Sequence, residues 1–255
     1  MTRTVFEGPD FDGPGTRAAD PLAANQPAAG DDAPDYWAEL IDHIETRRSA
    51  IEDPDQANFF NRPFSEHELV EWLSFQAYYE LRACQFIGGW LATTPEPDAL
   101  ILLAQQVEDE ALHYEYCMRA LARRGVTSLD DWTPEPEWEE WIDVWYPSGD
   151  TTIERVAAHN LTGELGACQA FVQIRPRLPE DVQKAFDRII PDEQFHMKLG
   201  RRVIQRHCVT EDDRASVLAR VDRTFELEQA GRLAYNRRMA RLGIADLGDT
   251  SPLLS

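Results

Sequence analysis

Read for the spacing of its apolar side chains, the chain divides into helical stretches separated by turns rich in proline and glycine. Residues 35–52 place Trp37, Leu40, Ile41 and Ile44 on one stripe, the spacing of an amphipathic helix packing outside a larger bundle. His43 lies near that stripe and reads as a structural or surface histidine. Ser65 and Glu68 form a capping box, with Phe64 and Leu69 placed for a hydrophobic staple. From Leu73 to Pro95 the only charged residues are then Glu80 and Arg82. A second helix is predicted from Asp98 to Arg124, with Gly125 just past its end. Its Leu103, Gln106, Glu110, His113 and Cys117 follow the three–four spacing of an inward face, whereas Glu108 and Glu115 fall off that line. Thr151 and Glu154 open a third helix, in which Glu164 is the only formal charge between Arg155 and Arg175. A fourth begins near Pro179 and carries Phe186, Ile189, Ile190, Glu193, His196 and Gly200; Pro191 within it predicts a kink. A fifth runs from a capped Thr210 toward Gly243. The pattern predicts an all-α protein: a single helical domain at 34–245 with a core bundle at 65–207. A Gly-, Pro-, Ala- and Asp-rich tail at 1–33 is expected to be disordered, and 246–255 to be frayed.

Two segments on these helices repeat one motif. Asp109-Glu110-Ala111-Leu112-His113 and Asp192-Glu193-Gln194-Phe195-His196 both read D-E-x-x-H. Positions i and i+3 share a helix face, so each glutamate points the same way as its histidine. Glu80 lies 30 residues before Glu110, and Glu164 lies 29 before Glu193. The midpoints of these intervals fall at Thr94-Pro95-Glu96-Pro97 and Pro176-Arg177-Leu178-Pro179, where proline pairs stop one helix and start the next. If each segment is an antiparallel hairpin, its paired glutamates meet about 14 residues, or about 21 Å, from the turn. Two packed hairpins then bring Glu80, Glu110, His113, Glu164, Glu193 and His196 to one point. Four carboxylates balance two divalent ions, and mixed carboxylate–imidazole donors suit Fe or Mn better than structural zinc. His159, five residues before Glu164, falls on a different face of an α-helix and is not counted as a ligand.

The order E…E-x-x-H…E…E-x-x-H resembles the ferritin-like di-iron carboxylate superfamily, whose four-helix bundle draws these six ligands from its core. The resemblance covers residues 65–207. It implies a ferritin-like four-helix bundle with extra N- and C-terminal helices, two Fe ions (or Mn/Fe), and O2 as co-substrate. It further implies that Asp109 and Asp192 accept hydrogen bonds from the ligand histidines. The activity implied is that of a di-iron oxygenase or oxidase that hydroxylates, N-oxygenates, desaturates or cleaves a small organic substrate. An electron donor, a reductase or ferredoxin, goes with it. No catalytic residue beyond the metal ligands is implied. The pocket is expected among Gln76, Cys84, Cys117, Leu161, Ala167, Cys168 and Phe171. The alternatives within the same resemblance are a ferroxidase or iron-storage protein, or a subunit of a larger oxygenase. Arylamine N-oxygenases of the superfamily carry a histidine where this chain has Ile189, and no residue selects one subfamily.

Composition narrows the partners. The net charge of −21 is uneven: residues 1–150 carry 9 Arg against 31 acidic side chains, and 151–255 carry 16 basic against 15 acidic. Such a chain is a poor nucleic-acid binder. No apolar run approaches the ~20 residues of a membrane span, and no signal segment is visible, so a cytoplasmic location is expected. A homodimer is compatible with these features. The four cysteines sit singly and read as buried free thiols. Residues 126–150 form the longest connection, and Trp138, Trp141 and Trp145 share one face of a short acidic helix within it. Those indoles serve either to pack the crossover on the bundle or as a lid or docking surface. Gly163 and Gly166, beside Glu164, serve either close helix packing or room for dioxygen and a substrate.

Overall fold

The structure is a computed structural model that describes residues 36–49 and 64–243. The expectations for the 1–33 tail and for 246–255 lie outside the described residues. Every regular element among the described residues is helical. No helix among them is long and apolar enough to cross a membrane.

Helix α1 (Tyr36–Ser49) buries Leu40 and Ile44, and packs on the C-terminal helix. Helix α2 (Glu66–Leu91) starts where Ser65 accepts a hydrogen bond from the Glu68 amide, and α3 (Pro97–Ala122) folds back along it after a proline-bounded turn. Gly125 takes a φ of 84°, the left-handed backbone that ends a helix at little cost only for glycine. The crossover follows as one turn, α4 (Pro136–Trp138), and a π-helix, π1 (Glu139–Trp145). Thr151 and Glu154 complete a capping box at α5 (Thr152–Val156), which runs into a second π-helix, π2 (Ala157–Gly163), and then α6 (Glu164–Ile174). Helix α7 (Glu180–His207) returns through Pro191, and α8 (Glu211–Arg241) opens with a Thr210–Asp213 capping box.

Helices α2, α3, α6 and α7 share an apolar core at one end, where Trp72 stacks on Phe186 at 5.1 Å and Phe171 meets Phe186 edge-on at 4.9 Å. The C-terminal helix is no appendage. Along its 31 residues α8 buries Val217, Val221, Phe225, Glu228, Gly231 and Ala234 against π2 and the crossover. The crossover indoles are anchored to it, Trp138 donating to the Gly231 carbonyl at 2.9 Å and Trp145 to the Thr224 hydroxyl at 2.9 Å. Arg238 of α8 bonds Glu71 and Glu135 and lies over the rings of Trp132 and Trp138. The all-helical expectation holds among the described residues, but the expected four-helix bundle with extra N- and C-terminal helices is corrected in its layout: the third helix is broken into α5, π2 and α6, and α8 forms one wall. Of the four cysteines, all unpaired, Cys84 is only half-buried.

Candidate metal centre

Glu80 comes from α2, Glu110 and His113 from α3, Glu164 from the first position of α6, and Glu193 and His196 from α7. None of the six is more than 2% exposed. Carboxylates this deep require compensating charge or hydrogen bonds. His113 Nδ1 lies 3.7 Å from Glu80, 3.4 Å from Glu110 and 3.4 Å from Glu193. His196 Nδ1 lies 3.3 Å from Glu193, 3.5 Å from Glu110 and 3.5 Å from Glu164. Ligand atoms of Glu80, Glu110, His113 and Glu193 all fall within 4.8 Å of one another, as do those of Glu164, Glu193 and His196. These buried acidic and histidine groups could hold metal.

The far nitrogens are held crosswise. His113 Nε2 is 3.3 Å from Asp192, and His196 Nε2 is 3.3 Å from Asp109, so each aspartate meets the histidine of the other motif. That contact turns each Nδ1 inward. Gln106 donates to Glu110 at 2.9 Å and to Glu164 at 3.0 Å, while its oxygen accepts from Asn160 at 2.8 Å. A neutral amide thus ties two carboxylates from different helices together.

Burial pushes Glu80 up to about 8 and lifts Glu164 well above the carboxylate range, with neighbouring Glu193 adding to the rise. Burial works the same way on Glu110, but His196 and His113 outweigh it and hold that carboxyl low. On Glu193 burial is likewise outweighed, by the Glu164 hydrogen bond and by His196. Both imidazoles are raised against the effect of burial, His113 mainly by Asp192 and Glu110, His196 mainly by Glu110 and Asp109.

His159 corrects a reading made from α-helical spacing. In π2 the backbone hydrogen bonds step five residues, and the Glu164 amide donates directly to the His159 carbonyl. Residues five apart therefore stack, and His159 Nδ1 sits 3.3 Å from Glu164. Glu110, His159 and Glu164 form a third close group. The ring is fully buried, stacked on Tyr79 and edge-on to Tyr146, and neither nitrogen has a hydrogen-bond partner. Burial lowers it to about 4. The available signal was the adjacent pair His159-Asn160 inside an uncharged run, since both cannot face solvent on a buried helix.

A cavity of about 490 Å³ adjoins the cluster. Glu80, Glu164 and Glu193 line it, together with Arg48, Glu228, Arg232, Tyr235 and Asn236. Of the pocket residues expected from sequence, Gln76, Ala167 and Phe171 line it, while Cys84, Cys117, Leu161 and Cys168 do not. Gly163 and Gly166 do line it. A Cβ at Gly163 would come within 2.6 Å of the Tyr146 hydroxyl, and one at Gly166 within 3.3 Å of Arg48 Nη2. Their small size is used for close approach of those side chains.

No protein-family model matches the chain, and no curated protein matches it. Solved structures do. A domain of unknown function with a heme oxygenase-like fold from Shewanella denitrificans is similar over 83% of this chain and 95% of its own, with 14% identity and a TM-score of 0.61. A TenA homolog from Pseudomonas syringae pv. tomato is similar over 81% of this chain and 93% of its own, with 14% identity and a TM-score of 0.62. The fold is thus heme oxygenase-like, and the ferritin-like resemblance drawn from the ligand order is corrected. The activities that rested on it, di-iron oxygenase or oxidase, ferroxidase or iron store, and oxygenase subunit, lose their support with it. The six-residue pattern constrains helix faces around one point. It leaves the course of the remaining chain free, and here α8 and the broken third helix take a different one.

Proposed function

We propose that the cluster binds two divalent cations and that the chain is a metal-dependent enzyme acting on a small organic molecule held in the adjoining cavity. The observation that carries this reading is the convergence of four buried carboxylates and two histidine Nδ1 atoms from α2, α3, α6 and α7 beside that cavity. His113 Nδ1 has three carboxylates around it and no hydrogen-bond partner, and a shared cation satisfies all four groups. Glu80, Glu110, His113 and Glu193 would hold one ion, and Glu164, Glu193 and His196 the other, with His159 as a further nitrogen donor beside Glu164. The donor set matches iron or manganese. When bound, such a pair supplies Lewis-acid or redox chemistry to a substrate group brought against it. The chain's own residues orient the site: Asp109 and Asp192 set the imidazoles, and Gln106 and Asn160 set the carboxylates.

The test is metal content of purified protein, measured with circular dichroism on the same samples. Wild type is expected to hold about two ions per chain, and Glu164→Ala to lose at least one while staying helical. Unchanged metal content in the variant, or no metal in wild type after incubation with ferrous or manganous ion, overturns the reading.

A further inference from the structure

The cavity wall contributed by α8 and α1 carries charged groups that the metal centre does not use. Glu228 is 4% exposed, and its Oε2 has no hydrogen-bond partner. Arg232 approaches that oxygen only to 4.0 Å and makes no hydrogen bond among the described residues. Arg48 is fixed by Gln169 at 2.7 Å and by the Thr162 carbonyl at 3.2 Å. All three line the same cavity as Glu80, Glu164 and Glu193. A buried acceptor without a hydrogen bond and a guanidinium fork that reaches it only as a long ion pair therefore line one space. Leaving the Glu228 acceptor unmet in a bound complex is costly.

We propose that Glu228 and Arg232 form a head-group site for an α-amino acid, the ammonium on Glu228 and the carboxylate on Arg232, with an apolar side chain lying along the aromatic walls. A bare carboxylate would meet Arg232 but set its charge against Glu228. A bare amine would meet Glu228 but face two guanidinium groups. The zwitterion gives Glu228 a hydrogen-bond donor and Arg232 an acceptor at once, and adds no net charge. Phe75, Tyr79, Trp138, Trp141 and Phe171 supply the apolar surface, and 490 Å³ is within the ~300–1,000 Å³ usual for small-molecule sites. That the side chain points to a reactive centre rests on the metal reading; the head-group site does not.

The experiment is calorimetric titration of the full-length protein with L-phenylalanine, 3-phenylpropanoate and 2-phenylethylamine, which share one side chain. L-phenylalanine is expected to bind at least tenfold tighter than either half-ligand. Glu228→Gln should weaken the amino acid at least tenfold without weakening 3-phenylpropanoate. Arg232→Ala should weaken the amino acid at least tenfold without weakening 2-phenylethylamine. That opposed pattern is one a collapsed cavity does not produce. Absence of L-phenylalanine binding, a half-ligand binding as tightly, or parallel losses for all three compounds overturns the proposal. Two ions per chain without amino-acid binding sinks this inference alone; amino-acid binding without metal sinks the metal reading alone.

Discussion

Replacing Glu228 by glutamine should stabilise the protein, and by an amount that grows with pH. Burial is the largest influence on this carboxyl and raises it from 4.5 to about 7, although Arg232 and Arg48 pull the other way. A folded-state pKa above the unfolded value means that the native state binds more protons between those limits, so stability falls as pH rises through that window. The cost is absent well below pH 4.5 and complete above pH 7. At about 1.4 kcal/mol per pH unit it reaches about 3 kcal/mol at pH 8, against about 1 kcal/mol at pH 5. Glutamine keeps the shape of the protonated acid and cannot ionise, so Glu228→Gln relieves that cost. The assay is urea unfolding of both proteins between pH 5 and 8, read as a difference so that titration of the metal ligands cancels. The gap should widen from about 1 to about 3 kcal/mol, which at pH 8 is about 6–12 °C in Tm. A gap that stays flat with pH, or a variant less stable at pH 8, would refute the argument that Glu228 is ionised at a cost. Such a cost is what a binding residue carries while waiting for its ligand.

The remaining predictions concern packing and the metal site. Gly200→Ala would bring a Cβ within 2.7 Å of Asn160 Cβ and 3.0 Å of Leu161, both in the tightly packed π2 segment; a loss of about 1–3 kcal/mol is expected in denaturant unfolding, and a change below half of that would mean α7 shifts freely. Arg238→Ala removes the cation that bonds Glu71 and Glu135 between Trp132 and Trp138; unfolding should show a loss of about 2–4 kcal/mol, with Arg238→Lys recovering less than half. His159→Ala should weaken metal binding about tenfold in competition with a chelator while leaving helicity intact; unchanged affinity removes His159 from the donor set.

What the sequence determined by itself was local. Capping residues at Ser65, Thr151 and Thr210 and the proline-bounded turns placed the helices, because these signals act over a few residues. The two D-E-x-x-H motifs and the nearly equal intervals of 30 and 29 residues back to Glu80 and Glu164 pointed six side chains at one another, because intervals along a hairpin translate directly into height. Tertiary structure decided the rest. The π2 turn, which brings His159 onto the Glu164 face, follows from one extra residue per turn, and period 3.6 cannot reveal it. Glu228 and Arg232 read as ordinary charges on a surface helix until α8 is laid across the cavity, with Arg48 arriving from 180 positions away. The fold itself belongs to this second group. A ligand pattern specifies which faces converge; which helix closes the remaining side depends on contacts between segments that share no local signal, and packing alone chose the heme oxygenase-like course.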